Sequence, residues 1–163
     1  EISRSLVGSE MCIRDRAIVD LTEPLVDWDN IDIILGIEAM GLPLTAPLAM
    51  RTGVPMVIAR KRNYGLEGEV QINQQTGYSK GSIYLNDIKA GERIAIIDDV
   101  LSTGGTMRSV IEGVKQTKAS IENIVIVVEK GDGMQNLKQD YPSIRFDSLV
   151  KLHMDGEKII VTD

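Results

Sequence analysis

Arg93–Thr106 reads RIAIIDDVLSTGGT, and this stretch decides the fold. The apolar run Ile94-Ala95-Ile96-Ile97 ends in two adjacent carboxylates, Asp98 and Asp99. A loop of small and hydroxyl residues follows, Ser102, Thr103, Gly104, Gly105 and Thr106. Beyond it Met107, Val110, Ile111 and Val114 recur at helical spacing. The order is strand, acidic pair, glycine-bearing loop, helix. A loop of this kind can turn successive backbone N–H groups toward one anion, and the helix N-terminus adds partial positive charge. Thr103 and Thr106 can donate hydroxyl hydrogen bonds to the same phosphate, and the carboxylates suit vicinal sugar hydroxyls. Together these features describe a ribose 5-phosphate site. The same letters also fit a buried strand, a polar turn and an amphipathic helix, since glycine-rich loops before helices are common.

Further runs extend the pattern. Asn30–Ile37, Val54–Ala59 and Ile121–Val128 are short, β-branched and almost continuously apolar, as suits strands covered on both faces of a parallel sheet. Helical stretches at Pro43–Arg51 and Met107–Thr117 alternate with them, which defines an α/β domain. Leu149–Leu152 and Lys158–Val161, either side of Met154-Asp155-Gly156, read as a terminal hairpin. Glu67–Lys80 is polar, with scattered apolar residues, and on composition reads as a solvated surface hairpin. The net charge of −6 argues against a general nucleic-acid surface, and no apolar stretch approaches bilayer-spanning length.

The segment Leu6–Arg16, LVGSEMCIRDR, reads as a translated sequencing adapter, so residues 1–16 are set aside and the native domain is taken as 17–163. Cys12, the only cysteine, falls inside that segment. The remainder offers no thiol for a disulfide or a metal, in keeping with a reducing cytoplasm.

The order Asp-Asp, three residues, Thr-Gly-Gly-Thr resembles the phosphoribosyl-diphosphate (PRPP) signature of type I phosphoribosyltransferases. GIEAMGLPL (Gly36–Leu44), RKRNYGLEGEV (Arg60–Val70), TGYSKG (Thr76–Gly81) and VVEKGDG (Val127–Gly133) are similar to the archaeal-type hypoxanthine/guanine enzymes, on the adenine phosphoribosyltransferase-like branch. The resemblance implies a central five-stranded parallel sheet flanked by helices, with a hood over the purine. Family members carry further N-terminal hood residues, so a truncated hood and weak activity are expected of the chain as written.

The resemblance also assigns roles. Asp98 and Asp99 would hold the ribose hydroxyls and stabilise an oxocarbenium-like transition state. Ser102–Thr106 would bind the 5-phosphate. Glu38, Ala39, Met40 and Gly41 match the diphosphate loop, where adenine enzymes carry an arginine in place of Met40. That shifts the burden to the basic triplet Arg60-Lys61-Arg62, with Lys61 first and Arg60 next. Taken alone, such a triplet is a solvated strand end. Mg²⁺ would be held by substrate oxygens, with Asp98 and Asp99 reaching it through water. Lys130 would donate to a purine 6-oxo group, against the alternative of a surface Glu129-Lys130 ion pair. Ser102 stands where many 6-oxopurine enzymes have an aspartate base, so no general base is assigned, and His153 is read as structural. Glu67–Lys80 would be a flap that closes over substrate.

The expected activity is purine salvage, giving IMP or GMP and diphosphate, by a cytoplasmic homodimer without nucleic-acid or membrane partners. The rivals are an adenine or orotate enzyme of the same fold and a PRPP- or nucleotide-sensing transcriptional regulator.

Overall fold

The computed structural model describes residues 15–75, 80–155 and 158–162. Helix α1 covers 15–22, and two single 3₁₀ turns, Glu23–Leu25 and Trp28–Asn30, lead into strand β1, Ile33–Ile37. Then follow α2 (Leu42–Thr52), β2 (Met56–Ala59), β3 (Val70–Gln75), β4 (Lys80–Leu85) and β5 (Arg93–Leu101). The chain continues through α3 (Gly105–Gln116), β6 (Ser120–Lys130), α4 (Gly133–Asp140), β7 (Arg145–Asp155) and β8 (Lys158–Thr162).

One sheet has the order β2-β1-β5-β6-β7-β8, parallel from β2 to β7 and closed by antiparallel β8. The five-stranded parallel core is therefore present, and the terminal hairpin supplies its sixth strand. Period-two alternation divides the core between the two faces. Ile94 and Ile96 of β5, with Ile124 and Ile126 of β6, meet Val110, Ile111 and Val114 of α3 and Leu137 of α4. Ala95, Ile97, Val125 and Val127 point the other way, onto Val19 of α1 and Leu44 and Leu48 of α2.

The chain leaves β1 outward to β2, then returns to lay β5 on the opposite side of β1. The carboxyl ends of β1 and β5 thus form the switch point of the sheet, where open α/β folds place their ligands.

Several boundaries differ from the sequence expectation. β5 does not stop at Ile97: it runs through both aspartates, because Asp98 and Val100 still pair with Ile126 and Val128. β6 likewise reaches Lys130, which is its last residue and lies opposite Leu152. Asn30 belongs to a 3₁₀ turn rather than to β1. Met154 and Asp155 are strand, paired with Ile159 and Lys158, where a turn was expected. The eight-residue helix α4 was not anticipated, since GMQNLKQD offers only Met134 and Leu137 to the core.

The polar stretch after Glu67 is a hairpin, β3 with β4, but it is not simply solvated. Ile72, Ile83 and Leu85 are buried, and Ile72 rests on Gly113 of α3, where a Cβ would lie 1.9 Å from Ile72 Cδ1. A helix glycine receives the base of the hairpin. The tip, 76–79, is outside the described residues.

Candidate active site

Four loops meet at the carboxyl edge of the sheet. After β1 the chain folds back tightly, with Gly41 N–H donating to Ile37 O at 3.0 Å. A Cβ on Gly41 would stand 2.8 Å from Ile37 N and O and 3.0 Å from Ile97 O, so the approach of this turn to β1 and β5 requires glycine. The Glu38–Ala39 peptide within it is cis, and the Met40 side chain is exposed.

Glu38 acts on the neighbouring loop. Its Oε2 accepts the Lys61 backbone N–H at 2.9 Å, while its own N–H donates to Ala59 O at 3.0 Å. Glu38 thereby ties the Lys61 backbone to the turn after β1. Arg60 is fixed twice. Its backbone pairs with Tyr84 of β4 in both directions, at 2.9 and 2.7 Å, and its guanidinium lies 4.8 Å from the Tyr64 ring centroid. Lys61 and Arg60 thus join the turn after β1 to the hairpin base, which the sequence did not reveal.

At the end of β5, Asp98 lines a pocket of about 180 Å³ with Val100, Leu101, Ser102–Thr106 and Met107. Burial pushes the Asp98 carboxyl up to about 7, and the adjacent Asp99 charge and side-chain hydrogen bond add to the rise. The Asp99 backbone hydrogen bond and the positive charge of Lys61 oppose it, which places Lys61 within electrostatic reach of the acidic pair. Gly104 takes the left-handed conformation, φ 79°, and its carbonyl accepts the Arg108 N–H at 2.8 Å to start α3. The pocket therefore combines a half-buried carboxyl, two threonines and a helix N-terminus, the elements of a sugar-phosphate site.

Lys130 closes the same edge at the end of β6, with its side chain exposed. The surface pair with Glu129 does not form. Glu129 instead accepts from Ser148 Oγ at 2.8 Å and faces Lys151 Nζ at 3.8 Å, and among the described residues no ion pair includes Lys130. His153 lies in β7 opposite Ile160. The expected site residues are thus gathered on one edge, at the ends of β1, β2, β5 and β6.

Residues 14–155 match the phosphoribosyl transferase domain, and the chain belongs to that family. It is 46% identical over 136 residues to the hypoxanthine/guanine phosphoribosyltransferase of Methanotorris igneus, covering 83% of this chain and 74% of that one. The enzyme of the same name from Methanocella paludicola is 47% identical over 133 residues, covering 80% and 69%. Among solved structures, the adenine phosphoribosyltransferase of Thermoanaerobacter pseudethanolicus superposes with a TM-score of 0.73 at 25% identity, over 84% of this chain and 80% of that one. The Trypanosoma brucei adenine enzyme, solved with AMP, pyrophosphate and ribose-5-phosphate, shares the fold at a TM-score of 0.72 and 24% identity, over 84% and 64%.

Proposed function

We propose that this chain transfers the 5-phosphoribosyl group of PRPP to a 6-oxopurine, hypoxanthine or guanine, and releases diphosphate. The observation that carries this reading is the pocket in which Asp98 faces the Ser102–Thr106 loop. The loop amides and threonine hydroxyls bind the 5-phosphate, and Asp98 and Asp99 accept the ribose hydroxyls. As the bond from the anomeric carbon to diphosphate breaks, positive charge grows on the ribose beside these carboxylates. Negative charge grows on the leaving group, near Lys61 and Arg60. Fixed charges aimed at both centres supply the acceleration.

The acidic pair and phosphate pocket also suit Mg²⁺. Among the described residues no cluster of three or more His, Cys, Asp or Glu forms a protein cage, and the hard oxygens on offer are those of two carboxylates and the substrate. When bound, the ion supplies charge neutralisation on the diphosphate.

Lys130 supports the choice of base. Free of Glu129, its ammonium can donate to a 6-oxo group, whereas a 6-amino group would set donor against donor. The archaeal relatives at 40–47% identity carry the hypoxanthine/guanine name. No helix among the described residues is long and apolar enough to cross a membrane. We place the enzyme in the cytoplasm as a homodimer.

The test offers hypoxanthine, guanine, xanthine and adenine separately with PRPP and Mg²⁺ and follows nucleotide formation. Turnover of hypoxanthine or guanine without adenine is the expected result. Turnover of adenine alone would overturn the base assignment, and PRPP binding without turnover of any base would point to a sensor.

A further inference from the structure

Gly133 opens α4 three residues beyond Lys130, and its backbone is pressed against the loop that follows β5. Its N–H donates to the Ser102 carbonyl at 3.1 Å. A Cβ at Gly133 would stand 2.1 Å from Ser102 O, 2.7 Å from Thr103 C and 2.8 Å from Gly104 N. All three are backbone atoms, which cannot swing aside as a side-chain end could. From the other side, a Cβ on Gly104 would meet Gly133 O at 3.3 Å and the buried Leu137 Cδ1 at 3.2 Å. Two facing glycines let the two loops touch backbone to backbone.

Conformation does not explain the glycine at 133. Its φ lies outside the left-handed region, unlike that of Gly131 or Gly104. On helix propensity alone, alanine would be the better residue here. What excludes a side chain is the close approach to Ser102 and Thr103.

We infer that Gly133 is a positioning residue that sets the Ser102–Gly105 phosphate loop and couples it to the segment carrying Lys130. The coupling rests on the proposed function, because the two segments then bind the two substrates of one reaction. The hydrogen bond from Gly133 N–H to Ser102 O ties this loop to the start of α4. Any side chain at 133 pushes the loop bodily, and with it the donors for the 5-phosphate.

The experiment is Gly133→Ala in the full chain, with ribose 5-phosphate affinity by calorimetry and steady-state constants for PRPP and hypoxanthine. Ribose 5-phosphate Kd and PRPP KM should both rise about tenfold or more in the folded variant. Wild-type values for both in the folded variant overturn the inference. If the wild-type chain itself fails to bind ribose 5-phosphate, the proposed function fails instead. A second measurement needs no variant: hydrogen exchange of the wild type with and without ribose 5-phosphate. Slowed exchange across 130–137 as well as 102–107 is expected, and protection confined to 102–107 overturns the coupling.

Discussion

Asp98 sits where the fold resists its charge. Its carboxyl sits near 7 because burial and Asp99 disfavour the anion, with Lys61 offsetting only part of this. In the unfolded chain the same group titrates near 3.8. The folded protein therefore holds a proton that the unfolded chain has lost, and between about pH 4 and 7 stability falls as pH rises. Above about 7 the penalty is fully present. Asp98→Asn should remove it, stabilising the apo protein at pH 8 by about 1–2 kcal/mol, with solvent reaching the half-buried group allowed for. Turnover in the same variant should drop by about a hundredfold or more, as the ribose loses a compensating charge. Denaturant melts at pH 5 and 8 check the first effect and an initial-rate assay the second; equal stability at both pH values in the wild type would refute the linkage. The sequence named Asp98, Asp99 and the loop because their order is local and dense. It could not show that Glu38 serves Lys61, since those residues lie 23 positions apart and meet only when β1 and β2 pair.

At the scale of elements, legibility followed the strength of the apolar pattern. β1, β5 and β6 are buried on both faces and read as continuous runs, whereas α4 has two core residues in eight and left no periodic signal. Strand ends were misjudged for a different reason. Asp98 and Lys130 interrupt the apolar runs, yet the β5–β6 and β6–β7 ladders continue through them. The β3–β4 hairpin was read as solvated because its few apolar residues are diluted by Gln, Asn and Gly. Those few decide its placement, as Ile72 fills the space that Gly113 leaves on α3. Ile72→Ala should therefore cost about 2–4 kcal/mol of stability in urea unfolding, more than expected of a surface hairpin. A loss under about 0.5 kcal/mol, the range of ordinary surface substitutions, would mean that the hairpin base is not seated on α3.

Over the whole molecule, the sheet separates two kinds of charge chemistry. At its amino edge the charges are satisfied. Arg93 Nε and Nη2 donate to the two Asp32 carboxylate oxygens at 3.0 and 2.9 Å, and the Arg93 backbone N–H donates to Asp32 Oδ2 at 2.9 Å. These bonds hold the Asp32 carboxyl down at about 2, from an ordinary 3.8. The sign is opposite to that of Asp98: the contribution is present above about pH 4 and is lost as pH falls toward 2. At the carboxyl edge burial instead raises the Asp98 carboxyl, so its anion costs stability. The five residue steps along β5 from Arg93 to Asp98 separate the edges by about 16 Å, beyond the range over which substitutions usually couple. Asp32→Asn should thus lower the thermal midpoint at pH 7 and leave kcat and both KM values unchanged, because the core between the two edges fixes the strand ends proposed to hold the substrates. Combined with Asp98→Asn, the two stability changes should add to within about 0.5 kcal/mol. A larger coupling in this double-mutant cycle would mean that the rigid strand passes a charge change from one edge of the sheet to the other. The amino-edge clamp would then be part of the active site's own electrostatics.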